Sequence, residues 1–454
     1  MAVLLAPLHL LGNLRGPGYG YILIALAATL LLYVGAYLLH RRGTEPSARS
    51  ILLVALLLRL LLLPLFPSLS DDSYRYLWDG RLVLHGVDPY LHPPADTALA
   101  AFHDDLFRRQ GYPTTNTIYP PGAQLIFAAS MAVGESAGGG YRAGYIVYKL
   151  LLIAAEMIAI GLLLKMLSAL RIPLTGAILY AWHPLPLVEL AGQGHTDAFW
   201  VLALAIALHG YMAGSPGGGM AGLLLGGSLR LYPLALLPLW WRFIGWRRMI
   251  AGLIAGLPFL LLFAAMLSPE ALENYGTVLA RFTNYYEFNG GFYYGAKWVL
   301  DYYHLKPSNT IAGAIATCVQ CISIIAIVLW PVRDRSVRTL AGRVLLLTSV
   351  LIVTGAKVHV WYFVAPLFLL PLVAGTSLRR AWLWAALLAP ATYAMYAVDP
   401  PRERMELVAV EWGGFLLLAL YGAMRDRIIT PPPIPDEDGR GDDHHGDRTL
   451  RDRT

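Results

Sequence analysis

Charge is scarce in this chain. Asp, Glu, Lys and Arg together make up 14% of its 454 residues, where a soluble domain carries about 25%. That scarcity excludes an ordinary soluble protein. Alternating segments of about ten residues, the mark of a membrane β-barrel, are missing too. Cysteine is almost absent: Cys318 and Cys321 lie three apart in an apolar helix, without the His or second Cys pair that a metal site needs, and core packing is the expectation. No basic region precedes the short apolar run at the N-terminus, so a cleaved signal peptide is not expected. No internal repeat divides the chain into the matched halves of many secondary transporters.

What is present is apolar length. Hydrophobic residues make up 57% of the chain, and apolar runs of roughly 18 or more residues recur throughout. The expected fold is all-α and polytopic. Thirteen spans are predicted at 20–39, 51–69, 143–168, 174–191, 196–213, 217–229, 231–244, 249–267, 309–331, 340–355, 358–375, 381–398 and 406–424. The pair at 217–244 is short and interrupted by Arg230 and Pro233, so it reads as broken. The segment 119–134 reads as a re-entrant or interfacial helix. The net charge of +6 is not a nucleic-acid signal, because the cations sit in short loops between spans. Arg41, Arg42 and Arg49 place the first loop in the cytoplasm, and the later basic loops fall on that side with it. Arg142 is the exception.

This parity puts the polar loops 70–118 and 268–308, and the turns 191–197, 356–360 and 399–405, on the exoplasmic face. One domain is expected over residues 1–424, with a catalytic exoplasmic loop at 70–122 and a second exoplasmic loop at 268–308. A disordered cytoplasmic tail rich in Pro, Asp, Arg, Gly and His follows at 425–454. His444 and His445 read as tail composition.

The polar stretch Ser70-Asp71-Asp72-Ser73-Tyr74-Arg75-Tyr76-Leu77-Trp78-Asp79-Gly80-Arg81 directly follows a span. Charge is costly at membrane depth and marks function there. The exoplasmic turns add Glu189, Gln193, His195 and Asp197, then Arg230, then Lys357 and His359. Carboxylates come mainly from the first loop and cations from later spans. A transferase with a lipid-phosphate donor needs this division: a base takes the acceptor proton, and cations hold the departing phosphate.

Each residue has a plainer role beside that one. Asp71 and Asp72 suit helix capping. Asp79 suits a pair with Arg75 or Arg81, His195 a turn, and Arg230 a structural ion pair. Lys357 suits snorkelling, and Glu189 and Asp197 suit pairing with cations. The aromatics of 281–305 suit either interface anchoring, which is favoured, or sugar stacking.

The run Asp71-Asp72-x-Tyr74-Arg75-Tyr76-x-Trp78-Asp79-Gly80-Arg81, then Gly86-x-Asp88-Pro89-Tyr90 and Ile118-Tyr119-Pro120-Pro121, resembles the GT-C superfamily of integral-membrane glycosyltransferases. The nearest groups are the polyprenol-phosphate-mannose-dependent mannosyltransferases, including glycosyltransferase family 87. The first loop also resembles the eukaryotic glycosylphosphatidylinositol mannosyltransferase pattern. The likeness covers roughly residues 50–370 and is strongest at 70–122.

It implies an inverting transfer of a hexose, mannose first, from a polyprenyl phosphate to a lipid, glycan or protein acceptor. It further implies an exoplasmic site in a prokaryotic plasma membrane. The family's base maps onto Asp71 or Asp72, and Asp72, nearer Tyr74, is favoured. Arg230, His195, Lys357 and His359 are the expected phosphate ligands. Tyr74, Arg75, Asp79, Tyr119, Glu189 and Asp197 are expected to position substrate. The doublet lacks Asp-x-Asp spacing, so no essential metal and no cofactor beyond the donor is expected. The rivals are a transporter or flippase of a lipid-linked glycan and a transferase of another sugar, such as arabinose.

Overall fold

The computed structural model describes residues 1–15, 19–266, 268–284, 286–373 and 377–429. It is a helical bundle, and among the described residues the only β pairing is an isolated contact of Lys357 with Phe288 and Asn289. Among the described residues four helices are long and apolar enough to cross a membrane: Gly20–Arg41, Gly140–Ala169, Ser308–Leu329 and the stretch Met405–Arg425. A pair bent by 58°, Trp246–Ala255 with Leu257–Ala264, makes a fifth if it counts as one span. The chain is therefore a multi-span helical membrane protein.

Several expected spans are not single helices, and proline accounts for most breaks. A ring within an apolar run removes an amide donor and clashes with the preceding turn. The expected span 51–69 stops at Leu62, two residues before Pro64. The expected span 174–191 is a chain of short turns around Pro173, Pro184 and Pro186, ending in a π-helical turn at Leu187–Gly192. The expected span 358–375 holds only the short helical pieces Val360–Phe363 and Val364–Leu369. The run 381–398 changes at Pro390 from the helix Ser377–Leu388 to 3-10 turns at Ala389–Ala397. Irregular backbone of this kind is tolerated at membrane depth where protein surrounds it.

The polar loops are structured. The first carries the helices Asp72–Leu84 and Asp105–Arg109 and the 3-10 turn Thr97–Phe102. The loop at 268–308 carries Pro269–Asn284 and Gly291–Tyr302. The segment read as re-entrant is the helix Pro121–Ser136, packed between Asp72–Leu84 and Gly140–Ala169. The first of these contacts is backbone to backbone: a Cβ on Gly80 would overlap the Phe127 carbonyl. Arg142 sits in the first turn of the 30-residue helix Gly140–Ala169. At 1.5 Å per residue that helix is ~45 Å long, well beyond a ~30 Å hydrocarbon core, so its first turn has room outside.

Cys318 and Cys321 are exposed, not packed in the core. They ride on a span that is mostly outward-facing. In a membrane the outer face is as apolar as the inner one, so composition does not separate the two. The helix Met405–Ile429 runs past the expected domain end at 424. The remainder of the tail, with His444 and His445, lies outside the described residues.

Candidate active site

Buried charges in the bundle hold the start of the acidic loop. Arg59 and Glu156 form a fully buried pair at 2.7 Å, and Arg59 also donates to the Ala181 carbonyl. One turn further on, the Lys149 ammonium donates to the carbonyls of Leu62, Leu63, Leu65 and Gly192 at 2.8–3.0 Å. It thereby closes the open C-terminal end of the helix Ala48–Leu62, where carbonyls lack helical partners. The Gln193 side-chain oxygen accepts from the amides of Ser68 and Leu69, and the Ser73 hydroxyl donates to the Gln193 carbonyl. This tight approach needs the left-handed turn at Gly194, with φ of 82° and Ser73 against it. The doublet Asp71-Asp72 thus sits at a point fixed from three sides.

The two aspartates go different ways. Asp71 makes no capping hydrogen bond and instead pairs with Arg15 at 3.0 Å, about half exposed. Asp72 opens the first turn of Asp72–Leu84, and its amide donates to the Ser70 hydroxyl. Both line a cavity of about 300 Å³, into which Arg230, Lys357 and His359 also face. Burial raises the Asp72 carboxyl above its ordinary value, against the opposing pull of Lys357 and Arg230. Among the described residues no ion pair joins Asp72 to either cation.

Each cation is held from behind. Arg230 adopts an extended backbone at the end of the helix Pro216–Leu229. Its guanidinium pairs with the buried carboxylate of Asp197 and donates to the Thr196 hydroxyl at 3.1 Å. Lys357 rides on the strand-like contact made by Phe288 N–H to the Ala356 carbonyl and Val358 N–H to the Phe288 carbonyl. Its ammonium lies 4.4 Å from the Phe282 ring centre, 5.0 Å from Tyr286 and 5.6 Å from Tyr112. Such a cage attracts a cation to the ring faces and leaves it without an ion pair among the described residues. Burial lowers the Lys357 pKa while Asp72 pulls it up. His359 stacks on Trp361 at 4.2 Å, and His195 stacks on the opposite face at 3.5 Å.

The expected site residues therefore divide. Asp71, Asp72, Arg75, Tyr119, Arg230, Lys357 and His359 wall the cavity. His195 is fully buried behind Trp361, with Glu189 at 3.4 Å. Glu189 accepts from Tyr393, whose ring does reach the cavity. Asp197 supports Arg230. Asp79 is buried away from the cavity and pairs with Arg75 at 2.7 Å, the plainer role foreseen for it. Arg75 also donates to the Thr115 carbonyl and so ties the far arm of the loop to its helix. Tyr74 stays outside the cavity and donates to the Pro67 carbonyl.

Of the 281–305 aromatics, Phe282, Tyr286 and Phe288 line the cavity while Trp298, Tyr302 and Tyr303 are exposed as anchors are. Arg15, Tyr112, Trp361, Tyr396 and Glu403 also line it and were not singled out from sequence. Among the described residues no cluster of three or more His, Cys, Asp or Glu side chains is arranged to hold a metal ion.

Comparison with curated proteins finds no match. Residues 4–247, more than half of the chain, match the family model described as alpha-(1->6)-mannopyranosyltransferase, N-terminal domain. That match covers the acidic loop, the Gln193 turn and Arg230, and it sets aside the flippase and arabinose readings. The chain belongs to this mannosyltransferase family, whose members move mannose from a polyprenyl-phosphate-mannose donor to a glycan acceptor.

Proposed function

We propose that Asp72 is the base of the transfer and that Arg230, Lys357 and His359 hold the donor phosphate. The observation that carries this is the division of charge in one cavity: among the described residues Asp72 faces it without an ion pair, while Arg230, Lys357 and His359 face it from other elements. The other charges lining it are engaged: Arg15 with Asp71, Arg75 with Asp79, Glu287 with Lys297, and Glu403 with the Asn289 amide and the Tyr294 hydroxyl. Asp72 takes the proton from the acceptor hydroxyl as that oxygen bonds to the anomeric carbon of mannose. The bond from that carbon to the phosphate oxygen breaks, and the lipid phosphate leaves with its charge against Arg230 and Lys357. Attack and departure on opposite faces of the sugar invert the anomeric centre. A phosphate needs no proton to leave, so one carboxylate suffices. The raised pKa of Asp72 strengthens it as a base, since a carboxyl nearer the working pH is the better proton acceptor.

The supporting residues follow from their contacts. Asp197 orients Arg230, and His195 backs the Trp361–His359 stack with Glu189 behind it. Tyr119 and Arg75, on the cavity wall, position the acceptor sugar. Asp79 acts through Arg75, and Tyr74 through the loop base.

The cavity opens on the exoplasmic side in a topology of about thirteen passes. The helix Gly20–Arg41 supports this placing. Its Tyr21 end meets Glu189 behind the cavity, and its Arg41 end carries the basic loop that the positive-inside rule keeps in the cytoplasm.

The test is mannosyl transfer by purified protein in nanodiscs, from radiolabelled polyprenyl-phosphate mannose to a mannan-type acceptor. Asp72→Asn with donor binding retained and transfer lost supports the assignment; unchanged transfer overturns it. Labelling a cysteine placed at Thr114 with an impermeant maleimide, in a Cys318→Ala/Cys321→Ala background, tests the face. Reaction in intact cells is expected.

A further inference from the structure

A second cavity, of about 480 Å³, lies away from the first. Tyr33, Tyr37 and His40 form one wall on a single face of the helix Gly20–Arg41. Leu383 and Arg379, four residues apart on the helix Ser377–Leu388, form another, and Leu179 and Pro371 contribute to the rest. Tyr21, on the first helix, marks the end near the active site, because it donates to Glu189. Tyr33 to His40 lie 12 to 19 residues further along, which is about 18–28 Å at 1.5 Å per residue. The second cavity is thus at the opposite end of the bundle.

Its lining is mostly apolar, with His40, Thr175 and the tyrosine hydroxyls as polar groups and Arg379 as its one Arg or Lys. The Tyr33 hydroxyl is already engaged by His183 Nε2 at 3.0 Å and the Leu383 carbonyl at 2.9 Å. Arg379 is half-buried at the wall and makes no hydrogen bond or ion pair among the described residues. Arg41 and Arg42 follow His40, Arg171 precedes Ile172, and Arg380 adjoins Arg379, so the same segments carry four further cations. An apolar slot under a lone guanidinium, rimmed by positive charge, fits an amphiphile with one phosphate and no amine to neutralise it. A guanidinium grips phosphate with paired hydrogen bonds.

We propose that this cavity is a binding site for an anionic phospholipid of the bilayer, with its phosphate on Arg379 and the upper part of one acyl chain between Tyr33, Ala36, Leu179 and Leu383. A choline headgroup would bring a second positive charge into a positive rim and is disfavoured. The seven helical steps from Tyr33 to His40 span about 10 Å, enough for the first part of an acyl chain.

The experiment is lipid titration of the full-length protein in neutral detergent by native mass spectrometry, with phosphatidylglycerol against phosphatidylcholine of the same chains. Phosphatidylglycerol is expected to bind roughly fivefold more tightly, the effect of one interfacial cation on an anionic lipid. Arg379→Gln and the cavity-filling Ala36→Trp are expected to remove that preference, and Arg380→Gln, whose residue lies outside the cavity, to keep it. Mannosyl transfer in lipid-matched nanodiscs checks that each variant folds. Equal binding of the two lipids overturns the proposal, as does a preference that survives Arg379→Gln and Ala36→Trp. Equal loss in Arg380→Gln would make the attraction diffuse and overturn the site. Displacement of phosphatidylglycerol by short polyprenyl phosphate at equal concentration would overturn the phospholipid assignment in favour of the donor lipid's own phosphate.

Discussion

The Arg15 guanidinium lies 3.0 Å from the Asp71 carboxylate, and the same guanidinium rests over the Tyr396 ring at 4.6 Å. This contact separates two neighbouring aspartates between which the sequence favoured Asp72 only for its nearness to Tyr74. Asp71 is neutralised at the cavity edge, while Asp72 faces the cavity without an ion pair among the described residues. Asp72→Asn is therefore expected to lower kcat by about 10³-fold, within the range for losing a general base. Asp71→Asn removes only a half-exposed pair, worth about 0.2–1 kcal/mol, so the loss should stay within about fivefold. Parallel transfer assays on the two variants decide it; a larger loss for Asp71→Asn would reverse the assignment.

Arg230 and Asp197 form the second informative pair. Asp197 is fully buried and Arg230 nearly so. Asp197→Asn strands a mostly buried guanidinium, and breaking a buried pair in this way costs about 3–5 kcal/mol. The variant should unfold at a lower temperature than wild type. A lipid phosphate bound at Arg230 returns a counter-charge, so polyprenyl phosphate should raise the melting temperature of Asp197→Asn more than that of wild type. An equal rise in both proteins would mean that the donor phosphate does not meet Arg230.

Behind the site, Arg59 and Glu156 make a stability prediction that has nothing to do with substrate. Arg59→Met or Glu156→Leu alone leaves one buried charge unpaired and should cost about 3–5 kcal/mol, whereas the double variant should recover most of that loss. Thermal unfolding of the three variants in one detergent measures the recovery. If the double variant is no more stable than the singles, the pair contributes through its further bonds to Ala181 and Tyr180 instead.

Much of the cavity wall was legible because charge stands out in an apolar chain. Asp72, Arg230 and Lys357 are costly residues in their surroundings, and cost points to use. The same signal marks Arg59, Lys149 and Glu156, but a linear pattern does not distinguish a charge that meets substrate from one that meets carbonyls. The pairings themselves were not legible. Arg15 meets Asp71 across 56 residues, and His195 meets Trp361 across 166, and nothing in the local pattern encodes either. The Lys357 cage joins Tyr112 to Phe282 and Tyr286 in the same way. Helix boundaries failed where hydropathy ran on through proline, as at 174–191 and 358–375, because apolar composition reports membrane depth and not continuous helix.

The pH dependence of transfer follows from two loop residues. Burial raises the Asp72 carboxyl above its ordinary 3.8, so the deprotonated base is lost as pH falls through a value higher than that. Burial lowers the Lys357 ammonium below its ordinary 10.5, so the phosphate-holding charge is lost as pH rises through a value below that. The profile of kcat/KM should therefore fall on both sides, within a window narrower than free Asp and Lys side chains would set. Lys357→Arg supplies the discriminating measurement. A guanidinium stays charged far above the working range, so the alkaline fall should move upward in that variant while the acid fall stays in place. An alkaline limb unchanged by Lys357→Arg would assign that fall to another group and remove Lys357 from the phosphate-holding set.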